Sequence, residues 1–493
     1  MNALETIERR SAAAPTGLPE PSKRTFLTGR RMELFEKFPR LYWLVTRRWF
    51  QFAVVVPNLL FFYAFLIAGV FGSPVGNRNI IIIFIWILWW FALITALVPF
   101  ASRVWCTVCP LPFFGDWIQR RALINVRTGR TCGLQNQMYG LNKKWPKALS
   151  NIWLQNIAFL GLCTFSAMLV TRPIVTVWVL GSLIVLAALM AGVFRGRTFC
   201  NYVCPISGFL SLFSMTSTLA LRSKDLDVCA KCKTKSCSVG SDKGWACPWG
   251  IYMGKLDRNN YCGLCMECVK SCPNDNIGLF LRPAMSDTRI KGYDESWKAF
   301  IMLTLAAAYS IVLLGPYGIV KDFANVAEVG DWKGFGIYAG GLWLTALAAL
   351  PAAFAACVWI GRRLAGRSDL GQKEIFLGLS YVFVPMGLLA WIAFSFPLIM
   401  INGSYILNVM SDPMGRGWDL FRTAQIHWSP ILPEYVGCIQ APLLFLGAFY
   451  AIRAGYRFAL EKTGTPAVAV RLAAPVSILV TAITLAFLKL FVG

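Results

Sequence analysis

The chain has 493 residues, 57% of them hydrophobic and only 15% charged, against about 25% charged in a soluble globular domain. Lys and Arg total 48 and Asp and Glu 24, a formal net charge of +24, with one histidine. That single histidine excludes a bis-His haem and a His-Glu-x-x-His zinc site. No Cys-x-x-Cys-His run exists for c-type haem, so no haem is expected.

Residues 1–49 are polar and lack an apolar stretch with a cleavage site, so no signal peptide is expected. Nine apolar stretches, uncharged but for Arg471 at the start of the last, then match a hydrocarbon core of about 30 Å. They lie at 50–72, 80–100, 150–171, 173–194, 299–320, 335–360, 375–402, 435–452 and 466–488. Forty of the 48 basic residues fall in 1–49, 101–149, 195–296, 361–374 and 453–471. The alternate loops hold only Arg78, Arg172, Lys321, Lys333, Arg416 and Arg422, and Lys298 and Lys489 sit at span ends. The positive-inside rule therefore puts the N-terminus and the loop 195–296 in the cytoplasm, and the C-terminus outside. Basic loops against anionic lipid account for the charge, and no nucleic-acid partner is expected.

The second span ends in Phe100-Ala-Ser-Arg103-Val-Trp105-Cys106-Thr-Val108-Cys109-Pro110, and the fourth in Phe194-Arg-Gly-Arg197-Thr-Phe199-Cys200-Asn-Tyr-Val203-Cys204-Pro205. Both follow a hairpin of two spans, so the chain contains a parallel repeat of about 94 residues. Four thiols converging at one surface suit a soft metal ion, an additional iron–sulfur centre or a redox dithiol, and Arg103 and Arg197 would favour the thiolates. Alternatively, Cys-Pro only ends each helix. The uncharged stretch 205–221 carries six hydroxyl side chains between basic flanks and reads as a re-entrant or interfacial helix.

In the loop that follows, Cys262-x2-Cys265-x2-Cys268-x3-Cys272-Pro273 has the spacing of a bacterial [4Fe–4S] ferredoxin; a zinc knuckle is the competing reading. Upstream lies a looser copy, Cys229-x2-Cys232-x4-Cys237 followed by Cys247-Pro248. In two-cluster ferredoxins the fourth cysteine of each run serves the other cluster. Two [4Fe–4S] clusters are thus expected, one on Cys229, Cys232, Cys237 and Cys272, the other on Cys262, Cys265, Cys268 and Cys247. Disulfides are less suited to a loop facing a reducing cytoplasm. Cys163, Cys357 and Cys438 read as packing residues inside spans, and Cys132 is given no role.

The expected architecture is an all-α polytopic membrane protein of about nine helices with a two-cluster ferredoxin-like insert. Its units are a polar segment 1–49, a four-helix membrane unit 50–222, the ferredoxin-like domain 223–296 and a five-helix unit 297–493. In the last, Pro385 and Pro397 could kink their span. The external loop 403–434, with Trp418, Phe421, His427 and Trp428, could dock a partner or lie in an interfacial aromatic belt.

Over residues 50–283 this pattern resembles the membrane polyferredoxins of the NosR/NapH/CcoG type. The resemblance implies a bacterial inner-membrane protein with a periplasmic C-terminus. It implies electron transfer between the quinone pool and a redox protein partner or respiratory complex, or else maturation of a metalloenzyme with handling of copper. Cys229 to Cys272 would be cluster ligands, and Cys106/Cys109 and Cys200/Cys204 the family's membrane motif. The family pattern is Cys-x3-Cys-Pro, which Cys200/Cys204 matches and Cys106/Cys109 misses by one residue. The five spans from 299 onward go beyond it. A transporter or sensor regulated by the ferredoxin loop is the third class weighed.

Overall fold

A computed structural model of the chain describes residues 25–27, 29–121, 139–169, 172–313, 318–326, 330–367 and 369–492. Cys132 lies outside the described residues. The chain is mostly helical. Its long apolar helices are α1 (Arg48–Phe71), α2 (Ile80–Ala101), α3 (Trp153–Leu169), α4 (Pro173–Val193), α5 (Tyr293–Leu313), α6 (Trp332–Leu364), α7 (Gln372–Asn402), α8 (Pro433–Thr463) and α9 (Pro466–Phe491). All but α3 are long and apolar enough to cross a membrane; α3, with 17 residues, rises about 25 Å.

Local chemistry sets the helix ends. Pro173 and Pro466 occupy first-turn positions of α4 and α9, where a missing N–H costs nothing. Asp331 caps α6 by accepting from the Lys333 and Gly334 amides. The two prolines of α7 behave differently. Pro385 cannot donate to the Tyr381 carbonyl, and the helix breaks at Tyr381–Val382, whereas Pro397 sits inside an unbroken stretch. In α2 the segments Ile83–Trp89 and Leu93–Leu97 are π-helical, with one extra residue per turn.

Helix α7 is the most enclosed and forms the axis of the bundle; α5 and α8 pack against it, and α9 packs on α8 and α6. Trp391 of α7 donates to the Met302 carbonyl of α5 at 2.8 Å, so its one polar atom is satisfied inside the core. The outer faces of α1 and α4 instead present Leu60, Phe61, Trp178 and Leu189 to the surroundings, the pattern of helices whose solvent is lipid.

Residues 205–221 do not form one helix. Pro205–Thr216 is a short helix buried within the bundle, where Phe209 touches Trp90, Phe159 and Trp391. The chain then turns into strand β2 (Leu219–Ser223). Strand β2 pairs antiparallel with β3 (Ile277–Leu281), and β3 pairs on its other edge with β1 (Met32–Glu33). This sheet joins parts that the sequence reading kept apart. It crosses the expected 222/223 boundary through β2. It also recruits the N-terminal segment, whose Phe35, Leu41 and Tyr42 pack against Leu221, Met253 and Leu279. The last residues of 223–296 already belong to α5. The small sheet is the exception to an all-α fold.

Candidate metal centres

Three cysteine quartets can be built from the residues upward. Cys229, Cys232, Cys237 and Cys272 line one small cavity, so the sulfur from the second run joins the first. The Asn276 side-chain amide donates to Cys229 Sγ at 3.3 Å and its backbone N–H to Cys272 Sγ at 3.4 Å. Thr234 lies beside Cys232 Sγ at 3.6 Å, and this hydrogen bond helps hold the Cys232 thiol below its ordinary range against the effect of burial. Donors aimed at sulfur are what a thiolate ligand needs.

Cys247, Cys262, Cys265 and Cys268 form the second group, close enough for Cys247, Cys265 and Cys268 each to feel the charge of Cys262. Burial pushes the Cys265 thiol up to about 11, although the Glu267 amide donates to it. The same i+2 amide pattern recurs at Cys262 with Leu264 and at Cys247 with Trp249. It requires unusual backbone. Leu264 and Met266 adopt left-handed conformations (φ 54° and 62°), as do Lys235 (47°) and Asp275 (51°) beside the first group. Such conformations cost a bulky residue of order 1–3 kcal/mol and concentrate where a loop must wrap a ligand. Nothing in the residue types signals them.

Cys106, Cys109, Cys200 and Cys204 make the third quartet: Cys200 is in electrostatic reach of Cys106 and Cys204, and Cys109 of Cys106 and Cys200. Burial pushes the Cys204 thiol up to about 12, opposed by the Ser207 and Ile206 amides at the start of its helix. The two arginines do more than favour thiolates; each crosses to the other copy of the repeat. Arg197 donates to the Cys106 and Thr107 carbonyls and pairs with Asp116 at 2.6 Å. Burial alone would raise the Asp116 carboxyl, but the guanidinium outweighs it and holds the group below the usual range. Arg103 donates to Ser207 Oγ at 2.5 Å and to the Asn260 carbonyl. The Trp249 ring lies between them, 4.5 Å from the Arg103 guanidinium and 5.8 Å from that of Arg197.

These contacts seat the third quartet on the loop of the second. Thr107 Oγ1 donates to the Gly263 carbonyl, one residue from Cys262. A Cβ on Gly263 would stand 2.5–2.7 Å from the Trp249 indole, so only glycine lets this loop lie flat on the tryptophan. Among the described residues no group of three or more His, Cys, Asp or Glu side chains stands at single-ion spacing. A lone tetrahedral ion, with bonds of about 2.3 Å to sulfur, needs sulfurs nearly touching; a cube of four irons holds them farther apart.

An apolar cavity of about 580 Å³ opens beside the third quartet, lined by Trp86, Trp89, Trp90, Trp105 and Cys109 and reaching Phe421. The Trp89 ring forms part of its wall, with the indole N–H buried away from the open space and without a hydrogen-bond acceptor among the described residues. On its other side Cys109 borders a polar groove with Arg48, Asp116, Arg120, Glu267 and Lys270. Elsewhere, His427 is exposed beside a second hollow in the 403–434 loop, where Tyr405 and Trp428 stack. That loop covers the α1–α2 turn, accepting from the Ser73 and Ile80 amides. Cys163 is buried in α3, Cys357 is partly buried, and Cys438 is exposed.

Comparison with known proteins bears on the third quartet. A family profile described as a 4Fe-4S binding domain matches the chain twice, at residues 82–130 and 177–224. Each match contains one Cys-Pro pair, and both exclude Cys229–Cys272. An uncharacterized protein of Methanocaldococcus jannaschii is 34% identical over 100 residues, which is 20% of this chain and 37% of that protein. The aligned part thus spans little more than a third of the relative's length. No solved structure matches. The chain therefore carries a 4Fe–4S binding domain in two repeats, which supports iron–sulfur clusters as its cofactors.

Proposed function

We propose that the protein is a membrane-bound iron–sulfur electron carrier with three centres in series. It would pass single electrons between a quinone in the bilayer and a redox protein partner at the cytoplasmic ferredoxin surface. The observation that carries this reading is the joint between the Cys-Pro quartet and the Cys262 loop, made by Arg103, Thr107 and Trp249. A [4Fe–4S] cluster supplies a one-electron couple whose potential follows charge, hydrogen bonds and burial. The chain's part is to fix three sulfur sets on one rigid frame, exclude water from two of them, and present the third near the protein surface.

The quinone half of the reading rests on the cavity beside Cys109. An aromatic-walled, apolar space suits a planar, lipid-soluble ring. The basic loops and apolar helices favour the bacterial inner membrane, with the N-terminus and ferredoxin region inside and the C-terminus in the periplasm.

Purified protein tests this directly. Iron should be about twelve per chain, for three cubes of four, falling to about eight in a Cys106→Ser/Cys200→Ser variant. A quinol analogue should reduce the wild type but not that variant. About eight irons in both proteins would overturn the three-centre reading. The polar groove reaching Cys109 from the cytoplasmic side supports a second reading, a maturation factor in which the quartet receives copper. Stoichiometric copper, lost in the same variant, would favour it.

A further inference from the structure

Buried charge near the third quartet does not balance. Arg197 has Asp116, Arg222 and Arg282 share Asp287, and Arg258 has Glu295. Lys298 has no such partner. It lies on α5, 1% exposed, and among the described residues its Nζ has one hydrogen-bond acceptor, the neutral Gln155 Oε1 at 3.0 Å. The two nearest acidic residues are engaged elsewhere. Asp294 accepts from the Ile152 amide; Glu295 accepts from Arg258, Asn260, Tyr261 and the Lys291 amide. The other cation nearby, Arg103, adds to the excess, since its partners are a hydroxyl and a carbonyl.

A buried ammonium without a counter-ion is strongly disfavoured, so the place where this one points matters. Gly208 lies one turn beyond Cys204 on the short helix, and a Cβ there would be 2.6 Å from Lys298 Nζ. Gln155, which holds the ammonium, also donates to the Cys200 carbonyl at 2.9 Å. The lysine thus lies beside the helix that Cys204 begins and, through Gln155, one side chain away from the Cys200 backbone.

We infer that Lys298 is the buried counter-ion of an anionic centre on Cys106, Cys109, Cys200 and Cys204, and that its positive charge raises that centre's reduction potential. This rests on the reading of the quartet as a cluster site. A thiolate-ligated iron–sulfur cube carries net negative charge that grows by one on reduction, so a fixed cation nearby stabilises the reduced form. Lys298 is a positioning charge and touches no sulfur.

EPR-monitored redox titration of the full protein tests it. In Lys298→Met the third centre should need at least a tenfold change in oxidised-to-reduced ratio to reach the same state, a fall of about 59 mV for one electron. The signal of the Cys229 quartet should not move. Lys298→Arg should restore most of the difference. Gly208→Ala, which displaces the ammonium without removing it, should give a smaller fall and covers the case in which Lys298→Met does not fold. Three centres with unshifted potentials in Lys298→Met, or in Gly208→Ala and Lys298→Gln should the first be unstable, overturn the inference alone. A wild type without a third signal, its iron unaffected by Cys106→Ser/Cys200→Ser, overturns the cluster reading and the inference with it.

Discussion

The two Cys-Pro copies are alike in sequence and unlike in surroundings. The second, Cys200 and Cys204, is closed on every side: both sulfurs are buried, Gln155 and Lys298 back them, and the following helix runs into the core. In the first, Cys106 is equally buried, but Cys109 borders a polar groove and an apolar cavity. The copy one residue shorter is the copy that opens, at Cys109. Duplication thus supplies four sulfurs and two crossing arginines, while the divergence between copies supplies an access side.

The crossing arginines are the place to break this arrangement. Arg197→Ala strands the Asp116 carboxylate as well as removing two carbonyl bonds, and should cost about 3–5 kcal/mol in thermal unfolding. Because Arg197 depresses the Asp116 carboxyl, the pair's stabilisation is intact at neutral pH and is lost as pH falls through that depressed value. The gap between wild type and Arg197→Ala should therefore narrow in acid; a constant gap would show that the ion pair is not its source. Arg103→Ala strands no carboxylate. It should cost about 2–3 kcal/mol, for two hydrogen bonds from a charged donor, and expose the 223–290 segment to protease while α1–α4 stay protected. Equal losses in the two variants would contradict the described asymmetry.

Thr107→Val removes a single bond to the Gly263 carbonyl, worth about 1 kcal/mol, and should slow electron exchange between the second and third centres more than it lowers stability. The smallest effect sharpens the open-and-closed contrast. In cluster-free protein Cys109 should be alkylated several-fold faster than Cys200 or Cys204, measured by peptide mapping. Faster labelling of Cys204 would reverse the assignment of the access side.

Much of this was legible in the sequence. Helix positions follow from uncharged length, and the grouping of Cys272 with Cys229 follows from ferredoxin spacing. The repeat drew attention to Cys106, Cys109, Cys200 and Cys204, which lie within electrostatic reach of one another. Its arginines were read as local charges, however, and their exchange between copies is a tertiary fact no spacing encodes. Lys298 looked like a residue at a span end, because one sequence gives no sign of what lies across from it. Residues 205–221 were legible only in part, as a short non-spanning helix, while the strand that follows it was not. Burial inside a bundle makes a short helix and a strand as apolar as one long helix, and periodicity cannot separate them.

Strand β1 bears on how the molecule is made. Met32 and Glu33 leave the ribosome before any long apolar helix, yet their partners Leu281 and Phe280 emerge only after α1–α4 and both ferredoxin cysteine runs. The early segment must stay unpaired throughout, and its docking over β3 can close the ferredoxin region only once every cysteine ligand is present. The chain thereby carries its own order of assembly, in which the cysteine loops stay accessible until the last strand shuts the sheet.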